Sequence, residues 1–189
     1  MRVLWSVLPV ALALGGCVTT NPQGTSSGAP TVAAPQSVVP PGTEDAYRVL
    51  KAYADTSNRP LDNCAYYRRW KDDALNRATG NLNTGMYAQA WAGYRSVAQW
   101  VAACAIRDKS PTISTSDAYD LAGGYVGLAA LAKAKEGMNF PSDIDRKTAD
   151  DAILLLSVNK TKNEQMINQI KATGLATGTK PRSDGKKPK

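Results

Sequence analysis

Between Thr43 and Thr173 apolar residues return at intervals of three and four, with no sustained alternation of the kind a strand needs. Such intervals put side chains on one face of a helix, so the pattern predicts one helix after another. The first spans Thr43 to Thr56, with Ala46, Val49, Leu50 and Tyr53 facing inward and Glu44 and Asp45 at its positive end. Asn58-Arg59-Pro60 stops it. The second runs from Leu61 to Thr79 along a stripe of Leu61, Cys64, Tyr67, Ala74, Leu75 and Ala78, and Gly80, Asn81, Asn83 and Gly85 are expected to form the turn after it. The third, Met86 to Asp108, has the widest apolar face, including Tyr87, Ala90, Trp91, Tyr94, Val97, Ala98 and Val101.

A fourth helix is capped by one of Ser114, Thr115 or Ser116 and ends near Glu136-Gly137; its many alanines and glycines predict close packing. The fifth begins after Pro141 with Ser142 as cap, and Ile144, Ala149, Ala152, Ile153 and Leu156 are assigned to its inner face. A sixth, from Lys160 to Ala172, either stands alone or continues the fifth. The expected fold class is all-α, a compact bundle of five or six helices over residues 43–173. A stretch of that length is one ordinary domain, able to bury a real core.

The pattern changes at both ends. Arg2 precedes a mostly apolar run from Val3 to Leu14, followed by Gly15, Gly16 and Cys17. One basic residue, a short apolar segment and small residues before a cut site make a secretory signal. The run is too short for the roughly 20 apolar residues of a spanning helix. Leu14-Gly15-Gly16-Cys17 also resembles the lipobox of bacterial lipoproteins, a resemblance confined to the first 17 to 20 residues. It implies removal of residues 1–16, a lipid on the Cys17 sulfur and acylation of the new amino terminus. In that class an aspartate after the cysteine often retains the protein in the inner membrane. Here Val18 follows, which implies the outer membrane with the body facing the periplasm. Several acyl chains anchor stably where one holds only marginally. Residues 18–42 carry no charge and are rich in Pro, Gly, Ser, Thr and Ala, so 17–42 is expected to be a lipidated cysteine and a disordered linker.

With Cys17 assigned to lipid by that resemblance, Cys64 and Cys104 remain as an even pair in an oxidising compartment. On the second and third predicted helices, joined by a short turn, their heights along the hairpin agree to about 5 Å at 1.5 Å rise per residue. A disulfide between them is therefore expected; two buried thiols are the other state open to them.

The formal charge of +7 is unevenly spread. Five lysines and arginines against Asp184 lie in residues 179–189, whereas the body carries 17 basic and 15 acidic residues. Residues 174–189 are thus expected to be a disordered basic tail on a nearly neutral body. A nucleic-acid-binding domain would carry its charge on a folded face, so nucleic acid is not an expected partner.

The chain has no histidine. That excludes His-based triads and the usual zinc sets, and neither phosphate-binding glycine motif occurs. Glycosidase chemistry needs only carboxylates, and its candidates are Glu44, Glu136 and Glu164. Each also reads as a helix-end or solvated charge, and adjacent pairs such as Asp72-Asp73 and Asp150-Asp151 diverge on a helix. No enzyme activity, cofactor or metal is expected.

Tyr66-Tyr67-Arg68-Arg69-Trp70-Lys71 is the most unusual stretch of the body. Tyr, Trp and Arg often dominate binding energy at interfaces, so Tyr66, Arg69 and Trp70 are the candidate partner-binding residues. The architecture resembles the pilotins and accessory lipoproteins of secretion, conjugation and pilus systems. The resemblance implies a non-enzymatic adaptor or assembly factor held by lipid and binding an envelope protein. The alternative is an envelope-structural lipoprotein whose basic tail touches peptidoglycan or lipopolysaccharide.

Overall fold

A helix that is apolar on every side is stable only where neighbours cover every side. The second half of α3 (Tyr87–Ile106) is such a segment, with Val97, Ala98 and every residue from Trp100 to Ala105 buried. The protein is described by a computed structural model over residues 39–109, 111–137 and 141–178. In it α3 is packed against α1 (Glu44–Asp55), α2 (Tyr67–Asn83) and α4 (Thr115–Lys135). Helix α4 in turn carries α5 (Asp143–Leu156) and α6 (Lys160–Ala172) on another side. The described residues contain six α-helices and no strand, an all-α bundle with α3 and α4 at its centre. None of these helices is long and apolar enough to cross a membrane. Cys17, the linker up to residue 38 and the basic residues 179–189 lie outside the described residues.

The small residues of α4 have a direct steric reason. A Cβ on Gly123 would stand 3.0 Å from both Leu155 Cβ and Leu156 Cγ of α5, and one on Gly127 would stand 3.0 Å from Ile170 Cδ1 of α6. Mid-helix glycine costs about 1 kcal/mol relative to alanine. Here that cost is offset by helix backbones approaching closely enough for leucines and isoleucine to fill the seam.

The second expected helix is two elements. Leu61–Tyr66 is a 3-10 helix, and α2 begins only at Tyr67. The 3-10 form has three residues per turn, so positions three apart eclipse. Leu61, Cys64 and Tyr67 are spaced by three, and Cys64 and Tyr67 are buried while Asp62, Ala65 and Tyr66 are exposed. The α period could not bring all three inward so directly. The turn that follows is also shorter than expected: Gly80, Asn81 and Asn83 are helical. The Met86 N–H donates to the Asn81 carbonyl (2.8 Å) and the Gly85 N–H to that of Leu82 (3.3 Å). With Gly85 at φ 79°, this is a Schellman cap, and only Gly85 of the four expected turn residues does the turning.

Helix α5 buries Ala149, Ala152 and Leu156 of its expected inner face but not Ile144 or Ile153. Its buried stripe is Asp145, Thr148, Ala149, Ala152, Leu155 and Leu156, whereas Ile144 is 59% exposed and Ile153 only half-buried. The cause is polar. Asp145 closes a capping box with Ser142, and Asp151 takes Lys147 (2.8 Å), so both carboxylates are satisfied on the inner side of the helix.

Helix α6 stands apart from α5, separated by a 3-10 turn at Ser157–Asn159. Asp120 of α4 holds its start. The half-buried carboxylate accepts hydrogen bonds from Asn159 (3.0 Å), Lys162 (2.7 Å) and Asn163 (2.7 Å). Burial opposes ionisation of Asp120, but these three donors outweigh it and hold its pKa below the ordinary value of 3.8. A carboxyl with a depressed folded pKa stabilises the fold above its unfolded pKa, and that contribution fades as pH falls through the folded value. Asp120→Ala is expected to cost about 2 kcal/mol at neutral pH, counting charge-assisted bonds from the asparagines and little from exposed Lys162. The difference between wild type and variant should shrink in urea melts below about pH 4.

The folded body continues past Thr173, where the disordered tail was expected to begin. Leu175 and Ala176 are buried, and Thr177 donates through its N–H (3.0 Å) and hydroxyl (2.8 Å) to Asp150. Gly174, at φ 72°, turns the chain back after α6.

Candidate functional site

Pro60 caps the 3-10 segment in extended backbone (φ −60°, ψ 134°), with φ fixed by its ring and no N–H to leave unpaired. The segment is then pinned from inside by a disulfide between Cys64 and Cys104 of α3, with Cα atoms 5.5 Å apart and both cysteines buried. The Thr112 hydroxyl adds a hydrogen bond to the Cys64 carbonyl (3.2 Å). Contacts pair Thr79 with Tyr94 (3.1 Å) near the α2–α3 turn and Cys64 with Cys104 at the far end, as in an antiparallel hairpin.

Behind this segment three aromatic rings meet. Trp100, 1% exposed, takes the edge of Trp70 at 4.5 Å between centroids and a tilted Tyr67 at 5.5 Å. These packed rings orient the first turn of α2. The Tyr67 hydroxyl is buried beside Tyr125 without reaching hydrogen-bond geometry, and burial first, then Tyr125, pushes its pKa above the ordinary tyrosine value.

The three candidate residues therefore fall in two environments. Tyr66 is 70% exposed, the most exposed large apolar side chain among the described residues, and Arg69 is exposed about one turn along from it. Trp70 is half-buried, its edge on Trp100 and its face under the Arg59 guanidinium at 3.6 Å. Tyr66 and Arg69 thus reach solvent, while Trp70 serves mainly as their support. Partial burial, followed by the nearby charge of Arg77, lowers the pKa of Arg59.

Tyr66, Arg68, Arg69 and Thr112 border an open hollow of about 490 Å³. A second hollow of about 400 Å³ shares Tyr67, Arg68 and Thr112 with it and continues past Lys71 towards Asp117 and Asp120. The surface is therefore a shallow depression with a basic, aromatic end and an acidic end. Arg68, and the acidic margin, were not singled out from sequence. Arg68 was legible only as part of a charged run; Asp117 and Asp120 lie some fifty residues away and join it through the fold.

The carboxylates considered for catalysis do not converge. Glu44 accepts from the Gly42 N–H (3.1 Å), and backbone hydrogen bonds at Glu44 and Gly42 lower its pKa. A general acid needs the opposite shift. Glu136 pairs with Lys133 (2.8 Å), and Glu164 is exposed on α6. Asp150 and Asp151 turn to different partners, Thr177 and Lys147. Among the described residues no cluster of three metal-ligating side chains is placed to hold an ion. No family model, curated protein or solved structure matches this chain.

Proposed function

We propose that this chain is a lipid-anchored adaptor of the bacterial envelope, moored through Cys17 at the periplasmic side of the outer membrane and binding a protein partner through Tyr66, Arg68 and Arg69. One observation carries the reading: a tyrosine left 70% exposed on a segment that a disulfide fixes to the core. Exposed single apolar residues are ordinary, but a rigid one flanked by two arginines and a depression has the make-up of a binding hot spot. A preordered anchor loses little conformational entropy on binding. The lipobox resemblance and a disulfide suited to an oxidising compartment support the address. Mooring would raise the local concentration of adaptor near its partner, so modest intrinsic affinity suffices.

A photo-crosslinking amino acid at Tyr66 in living cells is expected to yield one discrete adduct, reduced at least fivefold by Arg68→Glu/Arg69→Glu. The same probe at Leu154, on α5 away from this surface, is expected to yield none. Equal labelling from both positions, or none from Tyr66, overturns the adaptor reading. Mass spectrometry of the mature amino terminus tests the anchor separately, and an unmodified Cys17 thiol removes it.

A further inference from the structure

A second feature lies on another part of the bundle, between α1, α3 and α5. Ala52, Tyr53 and Thr56 of α1, Arg95 of α3, and Ile144, Lys147, Thr148 and Asp151 of α5 line an open cavity of about 250 Å³. Its walls are rigid helices, and exposed Ile144 and Lys147 stand at its rim. Its volume lies below the roughly 300–1,000 Å³ of ordinary small-molecule pockets and suits one small residue.

The charges of this cavity are out of balance. Asp151 is satisfied by both of its oxygens on Lys147 (2.8 Å each). Arg95 has no ion-pair partner among the described residues. Its guanidinium lies over the Trp91 ring at 4.6 Å, and its Nε is buried with no hydrogen-bond partner. Stacking covers the face of a guanidinium and not its in-plane edge, whose fork of N–H groups suits a carboxylate. Two cations against one carboxylate leave a single positive charge, which one monoanion neutralises. A phosphate dianion would meet Asp151 across the same small space. Ala52, Ile144 and the threonine methyl groups offer only short apolar contacts.

We propose that this cavity binds a free carboxylate carried on a small apolar group, the chemistry of a peptide's C-terminal alanine, with Arg95 as its anchor. Tyr53 supports the arrangement from inside. Burial, then the Asp151 charge, raises its pKa well above the ordinary tyrosine value, while Arg95 acts on it in the opposite sense. The hydroxyl therefore stays protonated, so it adds no negative charge to repel an incoming carboxylate.

The same chemistry ends ribosomally made chains in the L form and cell-wall peptides in the D form, and the probes separate these sources. N-acetyl-L-alanine, N-acetyl-D-alanine and N-acetyl-L-alaninamide are titrated into the folded protein while amide and Arg side-chain NMR signals are followed. At least one acid is expected to give saturable millimolar shifts at Arg95, Thr56 and Thr148, with the amide at least tenfold weaker. Preference for the L or D acid assigns the source. Arg95→Gln is expected to abolish saturation and Arg95→Lys to weaken it several-fold. The acid–amide comparison on the unaltered protein stands even if a variant fails to fold. Equal response to acid and amide, or no saturable shift around Arg95 with either acid, overturns the proposal.

Discussion

Replacing Cys64 and Cys104 together by alanine is expected to lower the thermal unfolding midpoint by roughly 12–20 °C. The bridge closes a loop of sequence separation 40. In the chain-entropy model such a cross-link removes enough freedom from the unfolded chain to stabilise the fold by about 4 kcal/mol. Alanine is the better substitute than serine because both sulfurs are fully buried and a hydroxyl there would need a partner. The loss should not be uniform. The 3-10 segment Leu61–Tyr66 lacks the strong i to i−4 ladder of an α-helix, and without the bridge it keeps mainly Leu61, Tyr67 and the Thr112 hydrogen bond as ties. Hydrogen exchange should therefore rise first at residues 61–66, before the α3–α4 core opens. Circular dichroism melts of the variant, compared with the parent carrying its disulfide intact, give the check. A midpoint change below about 5 °C would mean that the bridge constrains little in the unfolded chain.

That prediction follows from a bridge legible in the sequence, and the reason it was legible is instructive. Helix existence and approximate bounds follow from periodicity, caps and breakers, all of them local. Ser142 with Asp145, Ser114 with Asp117 and Asn58-Arg59-Pro60 act within a few residues of themselves, and so the predicted helices lie close to the observed ones. What apolar periodicity could not supply is polar pairing. On α5 Asp145 and Asp151 are buried with Ser142 and Lys147, three and four positions away, to satisfy them, and neither carboxylate enters a count of apolar residues. The buried Leu175 and Ala176 follow a glycine and precede a basic tail, so composition alone gave no sign that Asp150 would hold Thr177. At the candidate surface the sequence singled out Tyr66, Arg69 and Trp70 as a set. The fold separates them because residue 70 is one helical turn past 66 but faces Trp100, a residue thirty positions away. Arg95 was invisible for the opposite reason: in sequence it is one charge on a helix, and only the fold shows that, among the described residues, the nearby Asp151 pairs with Lys147 instead.

Trp100→Ala is expected to destabilise the fold by about 3–5 kcal/mol, lowering the urea midpoint by about 2 M. Trp100 is the largest fully buried side chain described, and Tyr67 and Trp70 both rest on it. Removing it leaves a cavity and forfeits two ring contacts, each worth about 0.5–1.5 kcal/mol beyond burial. One effect opposes these. The indole Nε1 is buried without a hydrogen-bond partner, so the parent already bears a cost that the variant sheds. Trp100→Phe separates the two effects. Phenylalanine keeps a ring against Tyr67 and Trp70 and removes the unpaired donor, so its loss should stay below about 1.5 kcal/mol. If the alanine and phenylalanine variants fall together, the rings are not what orients the start of α2. If they separate as expected, the same rings that stabilise the core also fix Tyr66 at the surface. Photo-crosslinking from Tyr66 should then survive Trp100→Phe and fade in Trp100→Ala, even at a temperature where both variants are fully folded.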